Sequence, residues 1–447
     1  MATWTIRYEA HGKFVTCQRP IVLTLNVTAG SVAHFRGLLY VRNVGTWDDT
    51  GIQFNAYPEN DINKFTCNVA EYCRNFYREQ EALYNPNQWC FNFEQMVDRE
   101  FQVVFYPVEY DLSGNLIPDP TDTATSVSFH VTPTSTEARE STSSLNDNIR
   151  LDKFILNGQN SSAAPWFSSS ENKLLSNMPD YNVVDVSQGF FYYYNALINN
   201  VAGRQTVLEL TNDAGVVQTI DLGSITGYLY IHLHPIFLDF MLSLAAGVVV
   251  NFFTDSAGNL ASNIAKLQLK FNDVGTGTLI RSSPQMKVSF KDGMGCKSKT
   301  FVFRNMRGGF DHFTATGTQE RSIDLSGSEF DRHTNFERSE STFDLLRGQH
   351  NNTNLWNSKK EIFSIFSQKV TKQYAIWLEE LIMSPQVWVV EDIKDFQNTN
   401  PGVGYDNKGL LAVNILKGSF NVFNTENNMH YIEFKYKLSE NTITQKM

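Results

Sequence analysis

Residues 300–325 read TFVFRNMRGGFDHFTATGTQERSIDL. Residues 300–305 alternate as a β-strand does, Arg307-Gly308-Gly309 supplies the positive-φ freedom of a tight turn, and residues 310–316 alternate again with Phe310 and Phe313 apolar. The stretch is a hairpin with an aromatic load. Around an isolated hairpin Arg304, Arg307 and Asp311 are expected to be solvated polar positions, and nothing in it is catalytic by itself.

The rest of the chain agrees with a β reading. Its 447 residues suffice for two to four domains with sizeable cores, and 33 Phe, 18 Tyr and 7 Trp against only 19% charged residues favour pleated, half-buried surfaces. The expected fold is mainly β: multidomain antiparallel β-sandwiches with a few short helices. Residues 1–132 read as an N-terminal sandwich with one helix near residues 69–83, and residues 133–172 as a Ser/Thr/Asn-rich linker holding the isolated pair Trp166-Phe167. Such an aromatic pair docks on a neighbour, in the same chain or in another subunit. Residues 173–299 form a second β-rich domain. In it, residues 206–210 and 216–222 make a hairpin, residues 248–253 and 265–271 make another across Asp255, and residues 190–194 are five aromatics in a row.

Residues 300–447 make the C-terminal β-domain. Residues 326–357, which include Trp356, are long, polar and mixed in charge, and are expected to be a loop, either an arm that reaches a neighbour or a disordered one. The clearest helix covers residues 371–383. Thr371 caps it, Tyr374, Trp377, Leu378 and Leu381 share a face, and Ser384-Pro385 stops it. Strands at residues 387–390, 410–417, 420–423 and 431–438 close the domain.

The outward context of the hairpin carries a resemblance. A strand ending in Asn, a glycine pair, Phe-Asp and an aromatic-Thr strand resembles the FxNxxGGFDxF hairpin of virion proteins in phages of Bacteroides-type hosts, the crAss-like phages among them. In such proteins a Trp/Leu-rich segment ending in Ser-Pro with an apolar strand after it, and a closing Val-Asn-Ile strand, follow the hairpin. Here those pieces are residues 303–313, 377–392 (WLEELIMSPQVWVVED) and 413–415. The resemblance covers the last third of the chain and implies a structural subunit of the tail hub or ring of a short-tailed phage. It implies like subunits in a symmetric ring around a DNA channel, other tail, portal or fibre proteins as partners, and a virion made in the host cytoplasm. The assembly candidates are Trp166, Phe167, Arg304, Arg307, Gly308, Gly309, Phe310, Asp311 and Trp356.

Composition narrows the chemistry. A formal net charge of −10 without basic clusters disfavours sequence-specific nucleic-acid binding, and would suit the wall of a DNA conduit. Five scattered cysteines, Cys17, Cys67, Cys73, Cys90 and Cys296, argue for reduced thiols rather than a disulfide framework or a zinc site. The N-terminus shows no secretory leader, and the apolar run at residues 231–253 is interrupted by His232, His234, Pro235 and Asp239, so no membrane-spanning segment is expected. His232 and His234 share a strand face, with Asp239 as the one nearby third ligand, and their expected role is structural. No nucleophile, P-loop or metalloprotease motif is present, and the acid pairs Glu379-Glu380 and Glu391-Asp392 are read as solvated. Asp61, Asp98, Asp111, Asp213 and Asp255 are read as turn formers. No enzyme activity, cofactor or metal is expected. The alternative is a glycan-binding or glycan-degrading receptor-recognition protein of the tail, since exposed Trp and Tyr on β-faces suit sugar stacking.

Overall fold

The structure, a computed structural model, describes residues 3–7, 14–16, 21–29, 32–43, 46–59, 63–74, 76, 90–91, 99–126, 128–132, 155–157, 174, 176, 178–179, 181–186, 196–199, 203–229, 231, 233–291, 298–307, 309–331, 336–338, 343–345, 352–367, 370–390, 410–416, 430, 432–439 and 443–446. It is mainly β, in several sheets with three short helices among the described residues. The chain divides into two units: Met1–Gly293 with Val302–His312 and Ile393–Asn407, and Met294–Phe301 with Phe313–Asp392 and Lys408–Met447.

The first unit holds two apolar cores. The first core belongs to a ten-stranded sheet in the order Thr3–Arg7, Val22–Ala29, Lys64–Asn68, Thr46–Pro58, His34–Asn43, Arg99–Tyr110, Phe129–Thr132 and Phe14–Thr16, with Leu116–Pro118 and Ala124–Thr125 added along Arg99–Tyr110. Most of the long strand Thr46–Pro58 pairs with His34–Asn43, but Tyr57 and Pro58 pair with Thr66 and Phe65, so it carries the sheet from one flank to the other. Trp4 Nε1 donates to Asp122 Oδ2 at 2.9 Å, drawing the first strand toward the far flank. The sheet therefore curls around Leu23, Leu25, Phe35, Phe65, Phe101, Phe105 and Phe129, all at most 1% exposed. Helix α1 (Ala70–Arg74) covers part of this core with Ala70 and Cys73. Of the helix expected near residues 69–83, those beyond Phe76 lie outside the described residues.

The second core gathers residues of a six-stranded sheet and a four-stranded one. The six-stranded order is Tyr181–Asp185, Met286–Lys291, Ile264–Asp273, Arg204–Thr211 and Val217–Gly223, with Leu279–Ser282 alongside Ile264–Asp273. Ile264–Asp273 shows why it is a strand. Ala265, Leu267, Leu269 and Phe271 point inward at a period of two while Lys266, Gln268 and Lys270 stay partly wet. The four-stranded order is Ile155–Asn157, Ala196–Asn199, Thr226–Leu229 and Cys90–Phe91. Among the described residues three pairings in the first unit are parallel, against the antiparallel expectation: Phe129–Thr132 with Phe14–Thr16, Ile155–Asn157 with Ala196–Asn199, and Tyr181–Asp185 with Met286–Lys291.

Helix α2 (Pro235–Ala246) seals this core with Phe237, Leu238, Met241 and Leu242. Pro235 occupies its first turn, where the missing N–H costs nothing, and Gly247 ends it in the left-handed conformation at φ 68°. The strand expected at residues 248–253 is absent. Val248 and Val249 are exposed, and residues 252–254 are held to α2 instead, with a single bridge between Thr254 and Leu260. The partners of residues 265–271 are Arg204–Thr211, Met286–Lys291 and Leu279–Ser282. By contrast, the hairpin expected across residues 212–215 is present, with Leu208 opposite Ile220.

In the second unit the strand order is Val387–Val390, Leu410–Ile415, Glu433–Leu438, Asn352–Phe366 and Gln319–Asp331, with Ile443–Lys446 also on Asn352–Phe366. Helix α3 (Lys372–Met383) begins where expected: Thr371 Oγ1 accepts the Tyr374 N–H at 3.3 Å, and Ser384 ends it. Its buried stripe of Ala375, Trp377, Leu378 and Leu381 sets Trp377 and Tyr374 beside Phe313, at ring-centroid distances of 6.5 and 6.2 Å. In Glu433–Leu438 and the residue before it, Ile432, Phe434 and Tyr436 are buried while Glu433 and Lys435 are exposed, as their alternation requires.

The polar loop expected at residues 326–357 is a correction. Gln319–Asp331 pairs antiparallel with Asn352–Phe366 along all 13 of its residues, and Phe336–Arg338 pairs with Phe343–Leu345. The described residues of the segment form a long β-ribbon. Its sequence hid this because neither face is apolar, so no period of two in hydrophobicity marks it. Among the described residues no helix is long and apolar enough to cross a membrane.

Candidate functional site

The hairpin that organises the sequence comprises Lys299–Arg304 and Phe310–Ala315. Its turn is built by Asn305. The Asn305 N–H donates to Gly309 O at 2.9 Å, and its side-chain Oδ1 accepts the N–H groups of Arg307 and Gly309, each at 3.0 Å. One amide thus closes the turn from both its backbone and its side chain. Gly308 lies outside the described residues. Thr300 and Thr314 share a hydroxyl–hydroxyl hydrogen bond of 2.9 Å across the strands.

The positions expected to be solvated are interior. Arg304, Arg307 and Asp311 are 3%, 6% and 1% exposed. A buried guanidinium needs acceptors or a π face, and both occur here. Arg307 Nη1 donates to Ser176 O at 3.0 Å and lies 3.4 Å from Leu174 O, within the first unit. The Arg304 guanidinium carbon stands 5.9 Å from the centroid of the Phe310 ring. His312 is fully buried, and burial pushes its imidazole down to about 3, so it is neutral at physiological pH. Both faces of both strands are therefore covered. The arrangement positions polar groups inside a fold and exposes no nucleophile.

Of the other assembly candidates, Trp356 lies in the ribbon opposite Ser328 on one side and Lys446 on the other. Trp166 and Phe167 lie outside the described residues, as do the aromatic run at 190–194, the strand expected at 420–423 and the pair Glu391-Asp392.

Asp239 and His234 are set by α2. His234 precedes the helix, is 3% exposed, and its Nε2 lies 3.3 Å from Val186 O; burial lowers its imidazole to about 4. His232 lies outside the described residues. The Asp239 carboxylate accepts four hydrogen bonds: from the N–H groups of Phe252 at 3.1 Å, Phe253 at 2.8 Å and Thr254 at 2.7 Å, and from the Thr254 hydroxyl at 2.7 Å. Its oxygens are committed to the following loop rather than offered to a metal. Among the described residues no group of three or more His, Cys, Asp or Glu side chains is placed to hold a metal ion.

Two further expectations about acids meet different outcomes. Glu380 is 5% exposed, not solvated, because it falls on the same face of α3 as Trp377 and Leu381. Asp111 and Asp255 are turn formers, in loops of the same construction. Each Oδ1 accepts two main-chain N–H groups, from Ser113 and Asn115 or from Ala257 and Asn259, and each Oδ2 accepts the side-chain amide of the Asn. Bonds from Asn115 and Asn259 respectively hold both carboxyls below the usual carboxylate range. Asp213 instead reaches across the chain to the Asn263 N–H at 3.1 Å, and Asp61 and Asp98 lie outside the described residues. Cys67 and Cys73 are buried, and burial pushes the Cys67 thiol up to about 12.

Sequence reasoning passed over Asn305, Asp239 as a loop anchor, and the ribbon Gln319–Asp331. The available signals were an Asn before a glycine pair and a lone acid in the apolar helix FLDFML. No protein-family model matches the chain, and no curated protein does.

Proposed function

We propose that the chain is a non-enzymatic structural protein of a phage virion, a subunit of the tail hub or ring around the DNA channel. It assembles through loop and β-edge contacts with like subunits and with other tail, portal or fibre proteins. On this reading the curled sheet and the two-sheet core are sandwich-type domains, and the ribbon is a contact arm.

The carrying observation is where the resembling residues lie. Phe303, Asn305, Phe310, Asp311 and Phe313 are at most 4% exposed. Within the second unit, Phe313 meets Trp377 of α3, and Val387 pairs with Val413. The three resembling pieces are thus framework residues. A pattern made of interior positions reports on an architecture, not on a reaction, which favours a structural role over a catalytic one.

The test is labelling of purified phage particles with an antibody to this chain, imaged by negative-stain electron microscopy. Discrete label at the tail is expected. No label, in particles whose other tail proteins label normally, overturns the proposal; label at the tail together with binding to host glycan that is lost when the exposed Tyr57 or Tyr110 is replaced favours the glycan reading instead.

A further inference from the structure

Among the described residues, Gln319–Asp331 is the outermost strand of its sheet, paired on one side with Asn352–Phe366. Glu320, Arg321, Ser322, Ile323 and Asp324 are all exposed, Ile323 at 48%. An edge strand turns N–H and C=O groups outward at every second residue, and natural edges are blunted by Pro, Lys, bulges or brevity. QERSIDLSGSEFD has neither Pro nor Lys and is 13 residues long. The ribbon does contain a bulge, but on the other strand. Ser328 pairs with Trp356 and Glu329 with Asn354, so Leu355 is the extra residue and the outer strand runs regularly.

We propose that this edge pairs antiparallel with the same edge of a second copy of the chain, about a two-fold axis at Leu325. Length chooses that register, and charge agrees with it. Leu325 is the middle residue of the strand, so an axis there engages its whole length: Gln319 opposite Asp331, Arg321 opposite Glu329, Ile323 opposite Gly327, and Leu325 opposite itself. In this register the strand's single cation meets an acid twice, and no two acids meet, since Glu320 stands opposite Phe330 and Asp324 opposite Ser326. An axis one residue earlier sets Asp324 against Asp324 and Arg321 against Gly327. An axis one residue later also sets Arg321 against an acid, Asp331, but shortens the overlap to residues 321–331 and sets Ile323 against Glu329.

The alternation of a strand puts residues 321, 323, 325 and 329 on one face. That face carries Ile323 and Leu325 from both copies at its centre and the Arg–Glu pairs at its ends, the order of an interface core and rim. Main-chain hydrogen bonds supply the attraction, and the extent of the overlap, with the charges in agreement, supplies the register. The contact is isologous and closes on two copies, so it goes beyond the ring reading, which needs a heterologous contact.

Sedimentation velocity of the full chain over a concentration series, with R321E, E329R and the double variant, tests the pairing. Each single reversal puts like charges opposite each other twice and is expected to weaken self-association about tenfold. The double reversal restores the pairs and the affinity. R321E also breaks the Arg321–Glu361 pair within the ribbon, which the double reversal does not mend, so affinity regained in the double variant reports the contact between copies. In parallel, the oxidised L325C variant is expected to yield a peptide linked to itself through position 325 on mass mapping. Self-association unmoved by R321E overturns the proposal, and so does an L325C variant that yields no such peptide.

Discussion

Asp239 is expected to be the anchor of the segment after α2, and its removal can be sized from the structure. Its carboxylate, 5% exposed, accepts three main-chain N–H groups and one hydroxyl at 2.7 to 3.1 Å. Hydrogen bonds to a charged group contribute about 1.5–3 kcal/mol each, which sums to at least about 6 kcal/mol. The buried carboxylate's own desolvation offsets several kcal/mol of that sum. Val248 and Val249 beside it are already exposed, so the freed donors can reach water. D239A is therefore expected to cost about 3–4 kcal/mol locally. D239N keeps one acceptor oxygen but turns an amide donor toward the Thr254 N–H, and should cost about 2 kcal/mol, while T254V loses one hydroxyl bond and about 1 kcal/mol. Native-state amide exchange at Phe252, Phe253 and Thr254 reads these costs directly, because each 1.4 kcal/mol is about tenfold in opening. Exchange a few hundredfold faster in D239A, with D239N and T254V ranked between it and the wild type, is the expected outcome. Unchanged protection in D239N, or equal effects of T254V and D239A, would refute the anchor.

Three other perturbations follow from the same geometry. An N305A variant leaves the Arg307 and Gly309 N–H groups without their acceptor inside a buried turn, and is expected to lower stability by about 2 kcal/mol in urea titration, whereas an exposed turn Asn would cost a few tenths. A Cβ at Gly317 would fall 2.1 Å from Phe366 O, so G317A must displace the base of the ribbon; faster amide exchange along Gln319–Asp331 than in the wild type checks this. His234 and His312 are held neutral by burial, at about 4 and about 3 against an ordinary 6.5. The unfolded chain then binds more protons below 6.5, so their contribution to stability is complete above that pH and is lost as pH falls toward 4. The slope approaches about 1.4 kcal/mol per pH unit for each histidine. Thermal melts from pH 7.5 to 4.5 should show this decline, and H234Q should make it shallower; a flat profile contradicts the burial argument.

What the sequence disclosed divides along a physical line. Helix α3 was readable to the residue because each of its determinants is local: the Thr371 cap, an apolar stripe at helical spacing, and Ser384-Pro385 at the end. Ile264–Asp273 and Glu433–Leu438 were readable because one face is apolar and one polar. The hairpin at Asn305 was readable as a turn, yet its burial was not, since that depends on acceptors such as Ser176 O, 131 residues away from Arg307 along the chain. Residues 248–253 failed in the opposite sense. Their apolar run favours a strand, but three N–H groups that a ladder could have used are taken by a carboxylate on the preceding helix. The ribbon failed because its faces are both polar, so pairing is recorded in main-chain hydrogen bonds that leave no hydrophobic period. Apolar patterning therefore locates elements that bury a face. Elements whose business is at an edge or with a distant carbonyl are nearly silent in the sequence, and in this chain those are the ribbon and the Asp239 loop. The same silence is why the length and charge order of QERSIDLSGSEFD matter: with no apolar pattern to fix its register, the extent of the overlap and the placing of Arg321 against an acid are what can.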